Sequence, residues 1–400
     1  MLRILTFTSL YPNREQPRHG VFIETRLRQL VASGRVEAKV IAPVPWFPLG
    51  SPRFGRYGAF SRVPQREVRH GIDVRHPRFL TVPAVGTAVS PVAMAAGALP
   101  VLRALAREGF DFDAIDAHFF FPDGVAAMLL GKWLAKPVVI TARGSDITYW
   151  PRSTLPLHMI RWAARAAGCC AAVSRALADE MVRLGLGRQP PRVLRNGVDL
   201  ALFHPGGRAE ARAQFGFEGR VVLSVGNLIE LKGHHLAIEA LSTVPGASLV
   251  IIGSGPEEAR LRALAARLGL AARVRFVGVV PQADLRRYYV AADLLVLASS
   301  REGWPNVLLE AMACGTPVLA TRVWGMPEVV AAPEAGVLVP ERTVAALQAG
   351  LEALLSAPPD RAATRRYAEG FDWSATTAAQ IEMFERLRCT RPPEGASFRA

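Results

Sequence analysis

The sequence predicts an α/β chain of two doubly wound, Rossmann-like domains facing across a cleft. Three observations carry that prediction. Short apolar runs alternate with longer helix-like segments almost from end to end, the pattern of parallel βαβ units. A turn-rich crossing interrupts the alternation near the middle: Pro190-Pro191, then Arg195-Asn196-Gly197-Val198-Asp199 and Pro205-Gly206-Gly207. Beyond it the alternation restarts. The predicted division is a domain over 1–195, a second over 196–371, and a helix with tail, 372–400, that packs back on the first.

Within the first half, strands are expected at Arg3–Ser9, Ala38–Ala42, Ala114–His118, Val138–Ala142 and Cys169–Val173, because each is a short apolar run bounded by turn residues. Helices are expected at Val21–Ser33, Gly124–Leu134 and Arg175–Leu184. Phe79–Leu102 carries no charge, but Pro83, Pro91, Pro100, Gly86 and Gly97 interrupt it. It reads as a buried or half-buried helical segment with its entry loop, since a lipid-exposed span would hardly be broken so often. In the second half the strand segments are Val221–Val225, Ser248–Ile252, Val274–Val277, Leu294–Leu297 and Val318–Ala320. Helices fall at Lys232–Leu241, Glu257–Leu268, Ala283–Ala291 and Asn306–Ala313, the last stopped by Gly315 and Pro317. Trp373–Leu387 is helix-like again.

Composition removes several classes. Half of the 400 residues are hydrophobic and a fifth are charged, which excludes a disordered or collagenous chain. Four cysteines without a C-x-x-C spacing make no disulfide framework, so a reducing cytosol is the expected compartment, extending to the inner face of a membrane. Met1 leads straight into a strand-like run with no secretory h-region. The net charge of +14 is uneven: residues 1–190 hold 25 Lys/Arg against 13 Asp/Glu, and residues 191–400 hold 23 against 21. A basic half points to a polyanionic or membrane-surface partner. Much of that charge lies in Pro52–Arg78, where seven arginines stand against Glu67 and Asp73 with Phe54, Tyr57 and Phe60 between them. The segment reads either as a solvated excursion or as an acceptor-side loop that meets a phosphorylated carrier at an anionic membrane surface. No nucleic-acid module is present, and nucleic acid is not an expected partner.

The sharpest feature is the run Glu302-Gly303-Trp304-Pro305-Asn306-Val307-Leu308-Leu309-Glu310, continuing to Pro317. Pro305 suits a first helical turn, where a missing N–H costs nothing. The N–H groups of Trp304 to Val307 would then offer a site for a phosphate. Glu310 could accept two hydrogen bonds from a vicinal diol such as a ribose, and Glu302 could hold a further hydroxyl. On spacing alone, Glu302 reads equally well as a solvated loop charge and Glu310 as a helix acid favoured by the dipole.

This run resembles the nucleotide-sugar signature of glycosyltransferase family 4, the retaining transferases of GT-B fold. The resemblance extends through Val225-Gly226-Asn227-Leu228-Ile229-Glu230-Leu231-Lys232-Gly233, Ile252-Gly253-Ser254-Gly255-Pro256, Val274–Gly278, Ala292–Ser299 and Gly325–Val330. Upstream, Asp116-Ala117-His118, Ala142-Arg143-Gly144-Ser145-Asp146, Val173-Ser174 and Asn196–Asp199 fit the same family. It implies that Glu310 binds the donor ribose, that Glu302 contacts donor-sugar hydroxyls and that Lys232 neutralises the diphosphate. Gly303, Trp304, Pro305, Asn306 and Val307 would form the diphosphate-contacting turn, with Gly226, Asn227 and Gly253 completing the donor pocket. His118 would hydrogen-bond the sugar and stabilise charge near the anomeric carbon, so His118, Lys232 and Glu302 are the implied catalytic set. Gly20, Arg143 and Asp146 would lie on the acceptor side.

Two departures stand out. Asn227 occupies the place of a family arginine, removing one positive charge from the diphosphate. Arg143 replaces a common histidine and either supplies that charge or makes a salt bridge with Asp146 or Asp116. The implied activity is transfer of a hexose from a UDP- or GDP-sugar to a glycan or lipid-linked acceptor of cell-envelope or exopolysaccharide synthesis. No cofactor and no metal are expected; the nucleotide sugar is a co-substrate. A non-hydrolysing sugar-nucleotide epimerase and a non-catalytic nucleotide- or membrane-binding scaffold remain as alternatives.

Overall fold

The structure is a computed structural model describing residues 1–46, 60–81 and 86–389. It divides into two compact units: Met1–Arg195 with the chain from Ser374, and Asn196–Trp373.

The first unit holds β1 (Leu2–Phe7), β2 (Val36–Ile41), β3 (Val44–Trp46), β4 (Arg66–Arg69), β5 (Ile72–Arg75), β6 (Arg78–Leu80), β7 (Ala114–His118), β8 (Val138–Ala142), β9 (Cys169–Ala172) and β10 (Arg192–Val193). Its main sheet has the order β10-β9-β8-β7-β1-β2-β5-β4, parallel except for the β4–β5 hairpin. Strands β7 and β8 are buried at every position, as strands covered on both faces must be. Strand order reverses between β1 and β7, and ligands of such sheets sit at the carboxyl ends beside that point. The helix Ser374–Cys389 closes the unit: Ile381, Met383 and Phe384 enter one apolar cluster with Ile4, Leu27 and Val40. Burying the Phe384 ring alone contributes about 1.5–3 kcal/mol.

The second unit holds β11 (Arg220–Val225), β12 (Ala247–Ile252), β13 (Val274–Gly278), β14 (Leu294–Leu297), β15 (Val318–Thr321) and β16 (Gly336–Val339). All pair in parallel in the order β13-β12-β11-β14-β15-β16, with the reversal between β11 and β14. Helices His234–Leu241, Glu258–Arg267 and Val344–Ser356 pack over one face around Leu249, Ile251 and Val296. As the chain leaves the first unit and returns to it, Val198 N–H donates to the Phe371 carbonyl at 2.9 Å.

Several expectations need correction. The basic segment is not an irregular excursion where it is described, residues 60–78; residues 52–59, with Arg53, Phe54, Arg56 and Tyr57, lie outside the described residues. Its described arginines are spent on partners inside and outside the segment: Arg62 on Glu15 (2.8 Å), Arg66 on Asp73 (2.8 Å), Arg69 on Glu24 (2.7 Å) and Arg75 on Asp73 and Glu108, while Arg78 donates to the carbonyls of Phe60, Ser61 and Val63. The neutral run, by contrast, is helical as expected: it forms the helix Gly86–Arg107, with Pro91 and Pro100 inside it. Val89–Arg107 is long and apolar enough to cross a membrane by length and composition; Met94, Ala98, Leu102 and Leu105 along it are buried in the unit. The helix Thr154–Ala166, strand β16 and the helices Val344–Ser356 and Arg361–Glu369 are additions to the predicted elements.

Candidate active site

The reversal point of the second sheet assembles the first group of predicted residues. The loop after β11 runs Gly226-Asn227-Leu228 into a tight turn, Glu230–Lys232, and the helix begins only at His234. Gly233, at φ 71, separates them, so Lys232 sits on a turn rather than opening a helix. The loop after β14 brings Ser299 and Glu302 to the same place. Lys232 Nζ donates to Glu302 Oε1 at 2.5 Å, and Ser299 Oγ donates to that same oxygen at 2.8 Å. The lysine and glutamate side chains are 22% and 11% exposed, so a cation and an anion stand paired with access left to a ligand.

The surrounding loops are held by backbone contacts. Gly253, at φ 144, lies so near Gly226 that a Cβ would stand 1.8 Å from the Gly226 carbonyl oxygen. His234, packed beneath, donates from Nε2 to the Asn227 carbonyl at 3.2 Å, so its Nδ1 accepts from Ser224 Oγ at 2.9 Å. Burial pushes the His234 pKa down to about 4, which keeps the ring neutral and this assignment fixed. The Asn227 side chain itself is exposed. Arg342 donates from Nε to the Ala298 carbonyl (2.8 Å) and from Nη2 to the Glu230 carbonyl (3.2 Å), tying the end of β14 to the turn that carries Lys232.

The run after Glu302 is only partly what spacing predicts. The helix Asn306–Ala313 starts as expected, but Pro305 caps it from outside, at φ −85 and ψ 78, instead of occupying its first turn. Of the first-turn N–H groups, that of Asn306 donates to the Trp304 carbonyl (3.1 Å) and that of Leu308 to the Pro305 carbonyl (3.0 Å), which leaves the Val307 N–H as the donor that suits an anion. Trp304 is 6% exposed and packs against Phe371, with centroids 6.4 Å apart; it is a core residue rather than a pocket wall. Asn306 Oδ1 accepts from Asn196 Nδ2 at 3.1 Å and thereby anchors the incoming chain. Glu310 is buried: Tyr289 O–H donates to Oε2 at 2.8 Å and Gln282 Nε2 to Oε1 at 3.3 Å. Burial raises its pKa, and those two hydrogen bonds hold it back down. Each oxygen keeps a second lone pair for a hydroxyl donor.

In the first unit the carboxyl ends of β1, β7 and β8 carry a second, more deeply buried group. Gly20, at φ 76, opens the helix Val21–Ala32, and a Cβ there would stand 2.1 Å from the Leu10 carbonyl oxygen. Its close approach is thus to its own loop. Asp123 Oδ1 accepts the Ser9 N–H, joining the loops after β1 and β7; burial lifts the Asp123 pKa to about 7. Asp146 accepts N–H groups from Phe120 (2.9 Å), Arg143 (3.1 Å) and Gly144 (2.7 Å), so this predicted acceptor-side residue organises backbone. Arg143 turns its guanidinium to His118, Nη2 donating to Nδ1 at 2.8 Å. A guanidinium only donates, so the imidazole proton sits on Nε2, which faces Asp116 Oδ2 at 3.4 Å. Burial, then the charges of Arg143 and Arg26, hold the His118 pKa well below its usual value. Both nitrogens of His118 therefore face intrachain groups in this structure.

Behind this group Arg26 Nε donates to Gln380 Oε1 at 3.0 Å and Gln380 Nε2 donates to Asp116 Oδ2 at 2.9 Å. Burial raises the Asp116 pKa to about 6 against the pull of Arg26. Asp111 and Asp113, which have the D-x-D spacing of a metal-binding pair, are used by Lys136 (2.5 Å) and by the Arg3 N–H (2.8 Å). Among the described residues no group of three or more His, Cys, Asp or Glu is arranged to hold a metal ion.

Comparison with known proteins decides what these two sheets are. The family described as "Glycosyltransferase Family 4" matches residues 14–202, and "Glycosyl transferases group 1" matches residues 207–371. Over 335 residues the chain is 32% identical to TuaC of Bacillus subtilis (strain 168), named for glycosyl transfer in teichuronic acid biosynthesis, covering 81% of this chain and 82% of that one. The chain belongs to glycosyltransferase family 4.

Other family members agree. A D-inositol 3-phosphate glycosyltransferase of Acidothermus cellulolyticus is 34% identical over 355 residues, 80% of this chain and 78% of the relative. Among solved structures, sucrose-phosphate synthase from Thermosynechococcus elongatus superposes with a TM-score of 0.78 at 20% identity, covering 97% of this chain and 100% of the other. Anabaena HepE in complex with UDP-glucose gives 0.73 at 20% identity, with 96% and 100% covered. The fold is therefore GT-B and the activity glycosyl transfer.

The residues that sequence reasoning missed are partners rather than principals: Ser299, Tyr289, Gln282, His234 and Arg342. Only Ser299, three residues before Glu302, leaves a local trace; the others meet their partners through the folded sheet.

Proposed function

We propose that this family 4 enzyme transfers a hexose from a UDP- or GDP-sugar, with retention of anomeric configuration, to a glycan or lipid-linked acceptor of envelope polysaccharide synthesis. The observation that carries this reading is the Lys232–Glu302 pair at the strand-order reversal of the second sheet. When a donor binds, the Lys232 ammonium neutralises its diphosphate, Glu302 turns to the sugar hydroxyls, and Glu310 accepts from the ribose diol. The Val307 N–H, in the first turn of Asn306–Ala313, adds fixed positive potential. As the bond from the anomeric carbon to the phosphate oxygen breaks, the bond to the acceptor oxygen forms on the same face. The departing phosphate oxygen takes the acceptor proton, so stabilising the leaving diphosphate is the largest catalytic contribution. No resident metal is needed for these roles. Acceptor recognition falls to the first unit, and the reaction runs on the cytosolic side, where nucleotide sugars are made. The named role of TuaC in teichuronic acid biosynthesis and the UDP-glucose bound by HepE support the envelope and nucleotide-sugar elements of this reading.

The test is calorimetric binding of UDP, GDP and ADP, each with and without chelator, to wild type and to Glu310→Ala. The expected result is metal-independent binding of UDP or GDP that is lost in the variant. Binding of none of the three would favour a scaffold in which Asn227 has cost the donor site.

A further inference from the structure

A second cationic feature lies away from the ligand end of the first sheet. The helix Thr154–Ala166 runs back to the start of β9, and the chain after the helix Arg175–Arg183 runs back to the start of β10. Their ends therefore meet at the amino edge of the sheet, opposite the carboxyl-end loops that hold His118 and Arg143. A cavity of about 510 Å³ opens there, lined by His158, Arg161, Trp162, Arg165 and Arg188.

This lining contains three arginines and no carboxylate. Arg161 donates from Nε to the Leu184 carbonyl at 3.1 Å, which fixes its guanidinium but leaves its charge uncompensated. Arg165 and Arg188 are exposed and have no hydrogen-bond or ion-pair partner among the described residues. His158 Nδ1 is satisfied by the Thr154 carbonyl at 2.8 Å, leaving Nε2 as the other ring nitrogen. Lys132 Nζ stands 4.8 Å from the Trp162 ring centroid, adding a fourth cation beside the cavity. Of the residues from 124 to 178 only Asp146 is acidic, and it is buried at the other end of the sheet. By contrast, Arg62, Arg66, Arg69 and Arg75 of the same unit make five pairings with carboxylates. Like charges held together without a counterion repel one another, so the arrangement costs stability until an anion enters.

We propose that this cavity is a phosphate-binding site, distinct from the donor site. Three guanidinium forks around one cavity match a group with several acceptor oxygens and at least two negative charges; a single carboxylate would leave most of the donors unused. A diphosphate or the phosphates of a lipid surface present that same chemistry.

Inorganic pyrophosphate is the soluble probe, titrated by calorimetry into Lys232→Gln protein so that the donor site is weakened, and equally so in both proteins compared. The comparison is the same protein also carrying Arg165→Gln and Arg188→Gln. The lipid probe is co-sedimentation with phosphatidylglycerol-containing against pure phosphatidylcholine vesicles, using the same two proteins. Both arginines are exposed, so thermal melting of the variant should match its parent. The expected result is that the double substitution weakens binding of at least one probe about tenfold or more. Loss confined to pyrophosphate identifies a soluble phosphate ligand, and loss confined to vesicles identifies a headgroup. Binding of neither probe, or binding that the substitutions leave unchanged, overturns the proposal.

Discussion

Glu302 and a donor diphosphate compete for one ammonium, and Glu302→Gln separates them. In the structure the Lys232 charge is already answered by Glu302 at 2.5 Å, with the two side chains 22% and 11% exposed. Unit charges 4 Å apart attract by about 4 kcal/mol in surroundings of intermediate dielectric and about 1 kcal/mol in water. Partial exposure of the lysine places the recoverable part near 1–2 kcal/mol, close to a tenfold change in binding. Glu302→Gln should therefore bind the free nucleoside diphosphate about tenfold more tightly than wild type. Its turnover should fall, because an amide is a poorer acceptor for sugar hydroxyls than a carboxylate. Lys232→Gln should weaken the same ligand by about 10- to 100-fold, the range expected for losing a charged hydrogen bond. In the double variant the gain from Glu302→Gln should vanish, since no ammonium is left to release. Calorimetry on the four proteins at low and raised salt reads every corner of this cycle. Should Glu302→Gln weaken nucleotide binding as much as Lys232→Gln does, Glu302 does not compete for the ammonium but serves to aim it.

Three further outcomes follow from contacts described above. Gly253→Ala puts a Cβ 1.8 Å from the Gly226 carbonyl oxygen and should cost roughly 3 kcal/mol or more in urea unfolding; an unchanged midpoint would refute the close approach. Gln380→Ala removes the amide between Arg26 and Asp116 and should destabilise by about 2–4 kcal/mol, read as a lower melting temperature, because two buried charged groups each lose a partner. His234 has a folded pKa of about 4 against 6.5 for a free imidazole, so between those values the unfolded chain binds more protons. Stability from this residue is complete above pH 6.5 and falls as the pH drops toward 4, by about 3 kcal/mol in all. His234→Gln should flatten that part of the stability–pH curve.

The parallel strands were readable because both sheets are covered on two faces, which turns each strand into an unbroken apolar run between turns. Val138–Ala142 and Leu294–Leu297 appear in the sequence at the bounds they have in the structure. The β4–β5 hairpin was not readable: its alternation is written in arginines, aspartate and glutamate, so period-2 burial is masked by charge. The helix Thr154–Ala166 was hidden by Pro151 and Pro156 at its entry. Glu302, Glu310 and Lys232 stand in short motifs that survive in one dimension. What they touch does not, because Tyr289 reaches Glu310 across 21 positions and Lys232 reaches Glu302 across 70. The same blindness misread the basic segment, where Glu15, Glu24 and Glu108 arrive from outside it.

The discontinuous make-up of the first unit has a consequence for synthesis. Its sheet strands are all translated by Val193, yet the helix that seals it begins at Ser374. At about 5–20 residues per second, the intervening 180 or so residues take on the order of 10–40 s to emerge. Throughout that interval Arg26 and Asp116 lack Gln380, and the apolar surface that Phe384 will cover is open to water. The part of the chain made first is thus the part finished last. A ribosome-stalled or C-terminally truncated product would expose that surface, making it a natural point of engagement for chaperones and proteases.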